Sequence, residues 1–253
     1  MQVDLNPRPG ELALPAFVAR RMLTAAVDLA QSFGTVPALL GELQRLRALL
    51  ACVLMYLTCS RPVSITALPY DRLTLDLSVE RGFIIRRTYV KTSQGLSVDR
   101  PGRYALTLPS AHFAPLISAL LTFDSHRLLH TGTKPDFFFY LPDDQFVQPP
   151  QANGFLAGPW LTLALSVVGL SPPDGFTWTP RSMRSGAASA MEAHGTPRSK
   201  IEFWGGWAIG SQALAQHYID PAMPPSADAR WFFGHLTTER SAAIQWQPLP
   251  DPN

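Results

Sequence analysis

The basic residues of this chain are of a kind that suits chemistry on phosphate. Lysine occurs only at positions 91, 134 and 200, so almost all of the positive charge is arginine. An arginine side chain offers a planar fork of N–H donors that matches phosphate oxygens, whereas a lysine is a point charge. A high genomic GC content would give the same bias, so composition alone leaves both explanations open.

Five short segments add residues whose order along the chain is informative. They are centred on Arg61, Lys91, Arg184, Trp207 and Tyr218. The first follows a predicted long helix, the second ends a predicted strand, and the third lies near the start of another predicted helix. A tyrosine oxygen can act as a nucleophile that forms a covalent intermediate, and an indole N–H is a hydrogen-bond donor. Each segment is short and common, so only the ordered set points to a function.

The ordered set resembles the catalytic domain of tyrosine recombinases, the phage integrase family. In that family an arginine after the first long helix and a lysine in a β-hairpin come first. A His-x-x-Arg motif, a Gly-His or Gly-Trp pair and a terminal tyrosine follow. Residues 38–220 carry the resemblance, and residues 180–186 read like the family's Pro-His-Ser-Leu-Arg-Ser-Gly form, with Met183 in the leucine position.

The resemblance implies a DNA strand-transfer enzyme that acts on double-stranded DNA. Tyr218 would attack a phosphodiester and leave a 3′-phosphotyrosyl bond and a free 5′-hydroxyl. Arg61 and Arg184 would bind the phosphate oxygens on which charge develops, Lys91 would be the general acid, and Trp207 would donate its indole N–H. The resemblance implies no metal and no cofactor, and it implies a homo-oligomer, commonly a tetramer on two duplexes. A mobile element is a possible origin for such a chain.

Three features depart from the family pattern. Arg181 stands where the family usually has histidine, and a guanidinium stays protonated, so it cannot accept the tyrosine proton although it could still donate to phosphate. The spacing from Trp207 to Tyr218 is slightly longer than usual, and a longer helix could turn the tyrosine away. Only about 37 residues precede the first helix that carries the resemblance, too few for the family's usual N-terminal domain.

The hydrophobic pattern predicts helices before and after a small sheet along the chain. Apolar residues recur at helical spacing over residues 38–58, which predicts an amphipathic helix, and a further helix is possible over residues 16–33. Alternating segments at 73–77, 83–90 and 103–108 predict a three-stranded antiparallel sheet. Further helices are predicted at 62–68, 111–123, 154–169, 182–194, 199–204, 211–218 and 227–237, with one short extended piece at 137–141.

These elements predict an α+β fold, mainly helical, of the tyrosine recombinase kind. The predicted domain organisation is an N-terminal extension, as a remnant or linker, over residues 1–37, a catalytic domain over 38–240 and a C-terminal tail over 241–253. The last helix, 227–237, is either docked on its own core or available for a contact between subunits.

Composition bounds the class of protein. With 253 residues, 46% of them hydrophobic, the chain can bury one sizeable core. The formal net charge of +2 is weak support for a nucleic-acid partner. Cys52 and Cys59 form neither a metal-ligand pattern nor a disulfide framework, and the start of the chain shows no secretory signal. The two longest apolar stretches, Ala48–Thr58 and Phe155–Leu170, are too short to span a bilayer. We therefore expect a soluble, intracellular protein of the nucleus or nucleoid.

Three other interpretations remain open at this point. The chain could be a catalytically degenerate or domesticated copy that serves as a DNA-binding or interaction module. It could relax DNA in the manner of type IB topoisomerases, which share the same arrangement of residues. It could also be an unrelated α+β protein, in which case Tyr218 would lie far from Arg61 and Arg184.

His126 and His130 have the i,i+4 spacing of some zinc ligands, without a third ligand nearby to support a metal.

Overall fold

The structure is a computed structural model that describes residues 10–75, 83–86, 105–144, 156–208 and 210–237. Lys91 and the outer ends of the predicted strands lie outside these ranges. Nine α-helices occur in the described residues: α1 (Ala16–Ser32), α2 (Leu40–Leu57), α3 (Pro62–Thr66), α4 (Ser110–Thr131), α5 (Ala157–Val168), α6 (Pro180–Ala193), α7 (Arg198–Gly205), α8 (Gln212–His217) and α9 (Ala227–Thr237).

The described strands form one small antiparallel sheet. Strands β1 (Leu73–Thr74), β2 (Phe83–Arg86) and β3 (Ala105–Leu108) pair in the order β1-β2-β3. Ile85 is opposite Leu73 on one side and Leu106 on the other. All three side chains are buried, so one face of the sheet joins the core. The predicted α+β fold, mainly helical with a three-stranded antiparallel sheet, is confirmed.

Helix α2 runs through the centre of the molecule. Every residue from Leu46 to Ser60 is buried, so the predicted amphipathic pattern is correct only for its first turns. A helix that is apolar on all sides is expected where neighbours cover it all round, and α1, α4, α5 and α6 pack against this one. Its buried Arg47 is paired with Asp144 at 2.6 Å and lies over the Trp160 ring, 4.9 Å from its centroid.

Helix α4 is longer than predicted, because it continues from Phe123 to Thr131. The added residues include two charged ones, and the side chain of Arg127 is fully buried. Arg127 forms an ion pair with Asp124, which also accepts a hydrogen bond of 2.8 Å from the hydroxyl of Tyr70. Contacts outside the helix therefore override a local pattern that reads as a loop.

Helix α1 belongs to the same core as the rest of the described chain. Leu14, Val18 and Met22 are fully buried, and α1 packs against α2, α4 and α9. The sequence assigned this segment to an extension before residue 38, and that domain boundary stays a prediction. The described part of the segment is packed against the helices of the predicted catalytic domain.

Helix α9 has the predicted bounds and is docked on its own core. Phe232 and Phe233 are fully buried, and both rings lie within 6 Å of the Tyr56 ring of α2, at 5.3 and 5.7 Å. The neighbouring Trp231 stacks under the guanidinium of Arg20, 3.9 Å from its ring centroid. Of the two roles that the sequence left open for this helix, the structure shows the intramolecular one.

The two histidines at i,i+4 spacing bind the main chain. His126 accepts a hydrogen bond of 3.1 Å from the N–H of Ala38, and His130 Nε2 lies 2.6 Å from the carbonyl oxygen of the same residue. Among the described residues no group of three His, Cys, Asp or Glu could hold a metal ion. None of the described helices combines the length and the apolar content that crossing a membrane requires.

Candidate active site

Helix α6 presents two of the predicted site residues. Its start is fixed by Thr179, whose hydroxyl accepts a hydrogen bond of 3.1 Å from the N–H of Arg181, and by Ser182, whose hydroxyl accepts one of 3.0 Å from the N–H of Thr179. Pro180 occupies the first turn, where its missing N–H is not needed. Arg181 and Arg184 are three residues apart and therefore share one side of the helix.

Trp207 is placed by a tight end to helix α7. Gly206 adopts a left-handed conformation with φ of 70°, and the N–H of Trp207 donates to the carbonyl of Glu202 at 2.8 Å. This turn folds the indole back over Gly205, where any side-chain carbon would collide with the ring. Glycine at 205 is required because the indole occupies the space of its missing Cβ.

Arg184, Trp207, Tyr218 and Arg181 form one cluster. The guanidinium of Arg184 stacks on Trp207, with its Cζ 3.7 Å from the ring centroid, and lies 5.3 Å from the centroid of Tyr218. The two rings meet edge to face at 5.1 Å. The Cζ of Arg181 lies 5.1 Å from the centroid of Tyr218. The interpretation as an unrelated fold required Tyr218 to lie far from the arginines, and the structure does not support it.

Arg61 lies in the turn after α2, which is tied to helix α6. Cys59 in this turn has a positive φ of 50°, and its thiol donates to the main-chain carbonyl of Arg184 at 3.3 Å. This contact ties the turn to helix α6. Arg61 follows as the N-cap residue of α3, close enough for its charge to lower the pKa of Arg184. The two arginines of the predicted phosphate clamp thus influence each other electrostatically.

The charge of Arg184 is held in an unfavourable place. Burial lowers its pKa to about 10, and the positive charge of Arg61 adds to this effect, while Cys59 and Tyr218 act in the opposite direction. Only 4% of the residue is exposed, and its Nε has no hydrogen-bond partner among the described residues. A buried cation beside a second cation is stabilised by an anion that binds between them. The arrangement can thus bind an oxyanion such as a phosphate next to a phenol.

Tyr218 is anchored through its main chain. Its N–H donates to Leu214 at 3.1 Å, and its carbonyl accepts from the hydroxyl of Ser189 at 3.3 Å. The N–H of Asp220 donates to the same hydroxyl at 2.7 Å. Helix α8 ends at His217, just before the tyrosine, so the long spacing from Trp207 does not carry Tyr218 out of the cluster.

Arg181 contacts the residue that precedes the tyrosine. Its Nη2 donates to the carbonyl of His217 at 3.4 Å. The Nδ1 atom of His217 is buried without a hydrogen-bond partner among the described residues. Lys91, the sixth predicted site residue, lies outside the described residues.

Sequence reasoning missed two residues that build the site. Ser189 holds the main chain around Tyr218, and Glu202 holds the loop before helix α8 through hydrogen bonds to the N–H groups of Gly210 and Ser211, at 2.9 and 3.0 Å. A serine inside a helix and a glutamate in a polar segment give no local signal of such roles. Their partners are far along the chain or in a loop that only the fold closes.

Solved structures with the same fold are recombinases. The XerA recombinase superposes with a TM-score of 0.52 at 16% identity, covering 92% of this chain and 66% of that one. The XerH site-specific recombinase, bound to its difH substrate in a pre-cleavage complex, superposes with a TM-score of 0.51 at 14% identity, covering 95% of this chain and 56% of that one. This chain thus spans less than two thirds of the length of either protein.

No protein-family model and no curated protein matches the sequence. The fold is nevertheless clear from the structural neighbours, because they cover nearly the whole chain. This chain has the tyrosine recombinase, or integrase, fold.

Proposed function

We propose that this chain cleaves and rejoins DNA strands through a 3′-phosphotyrosyl intermediate on Tyr218, in site-specific recombination or integration. The observation that carries the proposal is the stacking of Arg184 on Trp207 beside the ring of Tyr218, with Arg61 close enough to lower the pKa of Arg184. The tyrosine recombinase fold supports the proposal independently, because the likeness to the recombinase structures depends on the path of the main chain, whereas the cluster depends on side-chain contacts.

The proposed reaction is a transfer of one phosphodiester bond to the tyrosine and back. The oxygen of Tyr218 bonds to phosphorus while the bond from phosphorus to the 5′-oxygen breaks, so the free energy of that bond is kept for rejoining. The leaving 5′-oxygen takes up a proton from Lys91, and the phenolic proton passes to solvent. Arg181 is no acceptor for that proton because a guanidinium remains charged.

Arg184, which is buried, and Arg61, which is partly exposed, supply the electrostatic part of the proposed mechanism. Charge grows on the non-bridging oxygens of the phosphate as the tyrosine attacks, and donors that are already oriented there lower the barrier. Arg184 is oriented by its stack on Trp207 and by its burial. Arg61 is held by the turn that Cys59 ties to helix α6. Arg184 is therefore already oriented when DNA arrives.

Double-stranded DNA is the proposed partner, and the chain would act in the nucleoid or nucleus. A homo-oligomer on DNA, with a tetramer for complete recombination, and an origin in a mobile element belong to the same proposal.

A nicked suicide duplex tests the proposal, because the released fragment diffuses away and traps the covalent complex. We expect the purified chain to form an adduct with DNA, and Tyr218→Phe to abolish it because the attacking oxygen is gone. Arg184→Ala should lower the rate of adduct formation by about 100-fold or more. The measurement is the fraction of protein shifted on a denaturing gel with labelled DNA.

Tyr140→Phe is the matched control, because its hydroxyl donates to the carbonyl of Asp144 outside the cluster. An adduct that persists in Tyr218→Phe would disprove the assignment. Relaxation of supercoiled DNA without sequence preference would favour the topoisomerase interpretation.

A second candidate is a DNA-binding module of the same fold that no longer cleaves. Arg181 favours it, since the site has a guanidinium where a proton acceptor is expected and this side chain contacts the tyrosine ring. DNA binding by the wild type without any adduct would support this candidate over the first.

A further inference from the structure

The loop between Trp207 and helix α8 determines where Tyr218 lies relative to Arg181 and Arg184. Gly206 lies just before Trp207 and Gly210 lies within the loop, and both have a positive φ, of 70° and 74°. Such residues allow sharp turns but give the main chain little stiffness of its own. Helix α8 has only six residues, so a displacement at its start is passed on to Tyr218 at its end.

Glu202 holds both ends of this loop. Its Oε2 accepts a hydrogen bond of 2.9 Å from the N–H of Gly210, and its Oε1 accepts one of 3.0 Å from the N–H of Ser211. Its main-chain carbonyl accepts the N–H of Trp207 at 2.8 Å. Only 3% of the residue is exposed, so water does not replace these bonds easily.

A carboxylate is the side chain that can do this. Two oxygens on one group accept from two adjacent N–H groups, whereas a glutamine has one oxygen and turns a donor toward the second N–H. A buried donor without an acceptor is costly, so the loop with glutamine at 202 would leave its present path.

We infer that Glu202 is a positioning residue that fixes Tyr218 and Trp207 relative to each other and to Arg184. It touches none of the reacting groups and acts through the loop. The inference rests on the proposed function, because it concerns the same tyrosine. It adds a residue on which cleavage depends and which no motif identifies.

The test compares Glu202→Gln with Glu192→Gln. Both changes remove one carboxylate, and Glu192 is exposed on helix α6, so the pair is matched in charge. The adduct rate on the suicide duplex at saturating DNA, the Kd for DNA and amide hydrogen exchange are measured for each variant and for the wild type. We expect Glu202→Gln to slow adduct formation by roughly tenfold or more, with the Kd changed less than about threefold.

Hydrogen exchange tests the structural half without any need for activity. Exchange over residues 206–218 should speed up by roughly tenfold or more in Glu202→Gln, with α2 and α4 unchanged. Glu192→Gln should match the wild type in all three measurements. If Glu202→Gln unfolds at the assay temperature, Glu202→Asp replaces it, because both oxygens remain but are withdrawn by one methylene group, and a slower adduct rate is again expected.

Each outcome decides the inference. A wild-type adduct rate in a folded Glu202 variant overturns it, and so does unchanged exchange over residues 206–218. A wild-type protein that forms no adduct shows instead that the proposed function is wrong. The dependence of cleavage on Glu202 then falls with it, while the exchange data still report whether the carboxylate holds the loop.

Discussion

Arg181 is the residue that most changes what this site can do. It lies against the ring of Tyr218 and donates to the carbonyl of His217, so it stiffens the segment that carries the tyrosine. Its positive charge is also added to those of Arg61 and Arg184, which favours an anion in the site. It cannot take up the phenolic proton. In the proposed mechanism, therefore, positioning and electrostatics are supplied and base catalysis is absent.

Arg181→His should raise the rate of adduct formation. An imidazole at this position could accept the phenolic proton, and general base catalysis contributes 10²–10⁴-fold in favourable cases, so we expect a gain of about tenfold or more. The rate should also rise with pH through an apparent pKa at or below about 6.5, the ordinary value for histidine, because the positive charges of Arg61 and Arg184 disfavour the imidazolium.

Adduct kinetics from pH 5 to 8 for both proteins give the measurement. Arg198→His is the control, since Arg198 is exposed on helix α7. An unchanged or lower rate in Arg181→His would mean that the guanidinium itself contributes as a donor and that proton transfer does not limit the reaction.

Helix α6 is positioned by the segment that precedes α1. The N–H of Leu14 donates to the carbonyl of Ser182 at 2.8 Å, and the hydroxyl of Thr179 donates to the carboxylate of Glu11. The main chain of Leu14 also occupies the space beside Gly186, where a Cβ would collide with it. Helix α6, which carries Arg181 and Arg184, is thus held in place by a segment far from it in the sequence.

Gly186→Ala should separate this segment from helix α6. Inserting a carbon into a packed contact of this kind costs about 1–3 kcal/mol of unfolding free energy, and more if the main chain cannot shift. Gly41→Ala in helix α2 is the matched control, because nothing lies within 4 Å of its missing Cβ. Alanine in an open helical position stabilises by about 0.5–1 kcal/mol relative to glycine.

Urea denaturation of the two variants and the wild type measures both effects. The adduct rate should also fall in Gly186→Ala, since Arg181 and Arg184 move with their helix. Equal stability of the two variants would show that the contact with Leu14 is not tight.

Helix α9 packs against α1 and α6, and this packing largely buries the titratable side chain of His235. His235 lies 5.4 Å from the ring of Phe113 and 5.6 Å from that of Trp204, measured between centroids. Burial, and after it the nearby His112, lower its pKa to about 4, against a hydrogen bond to the main chain of Phe232 that raises it. The folded protein therefore keeps this imidazole neutral.

This pKa makes the stability depend on pH in a defined window. Between about pH 6.5 and 4, His235 is protonated in the unfolded chain but remains neutral in the folded chain. The free energy of unfolding therefore decreases as the pH falls through this window. The loss is at most about 3 kcal/mol, since one pKa unit corresponds to about 1.4 kcal/mol.

His235→Gln should flatten this part of the curve, because glutamine does not titrate. Unfolding free energies of the wild type and the variant from pH 7 to 4 are the measurement. Two parallel curves would show that the proton enters the folded protein without penalty.

The helices and the order of the site residues could be predicted from the sequence because both depend on local signals. Apolar spacing located α9 with its bounds, and α2, α6 and α8 to within a few residues. The prediction of α4 stopped short of Arg127, a charged residue that the fold buries against Asp124. Burial of a charge depends on a partner, and periodicity does not report partners.

The sequence by itself determined which residue types stand in line for phosphate chemistry, from Arg61 to Tyr218, and that helices enclose a small sheet. Only the tertiary structure decided that Arg184 stacks on Trp207 beside Tyr218, that the segment before α1 locks α6, and that Glu202 holds the loop to the tyrosine. The physical reason is the range of the interactions. Spacing in a helix is set by neighbours three and four residues away, whereas a buried carboxylate or guanidinium is fixed by groups that meet it only when the chain has closed around them.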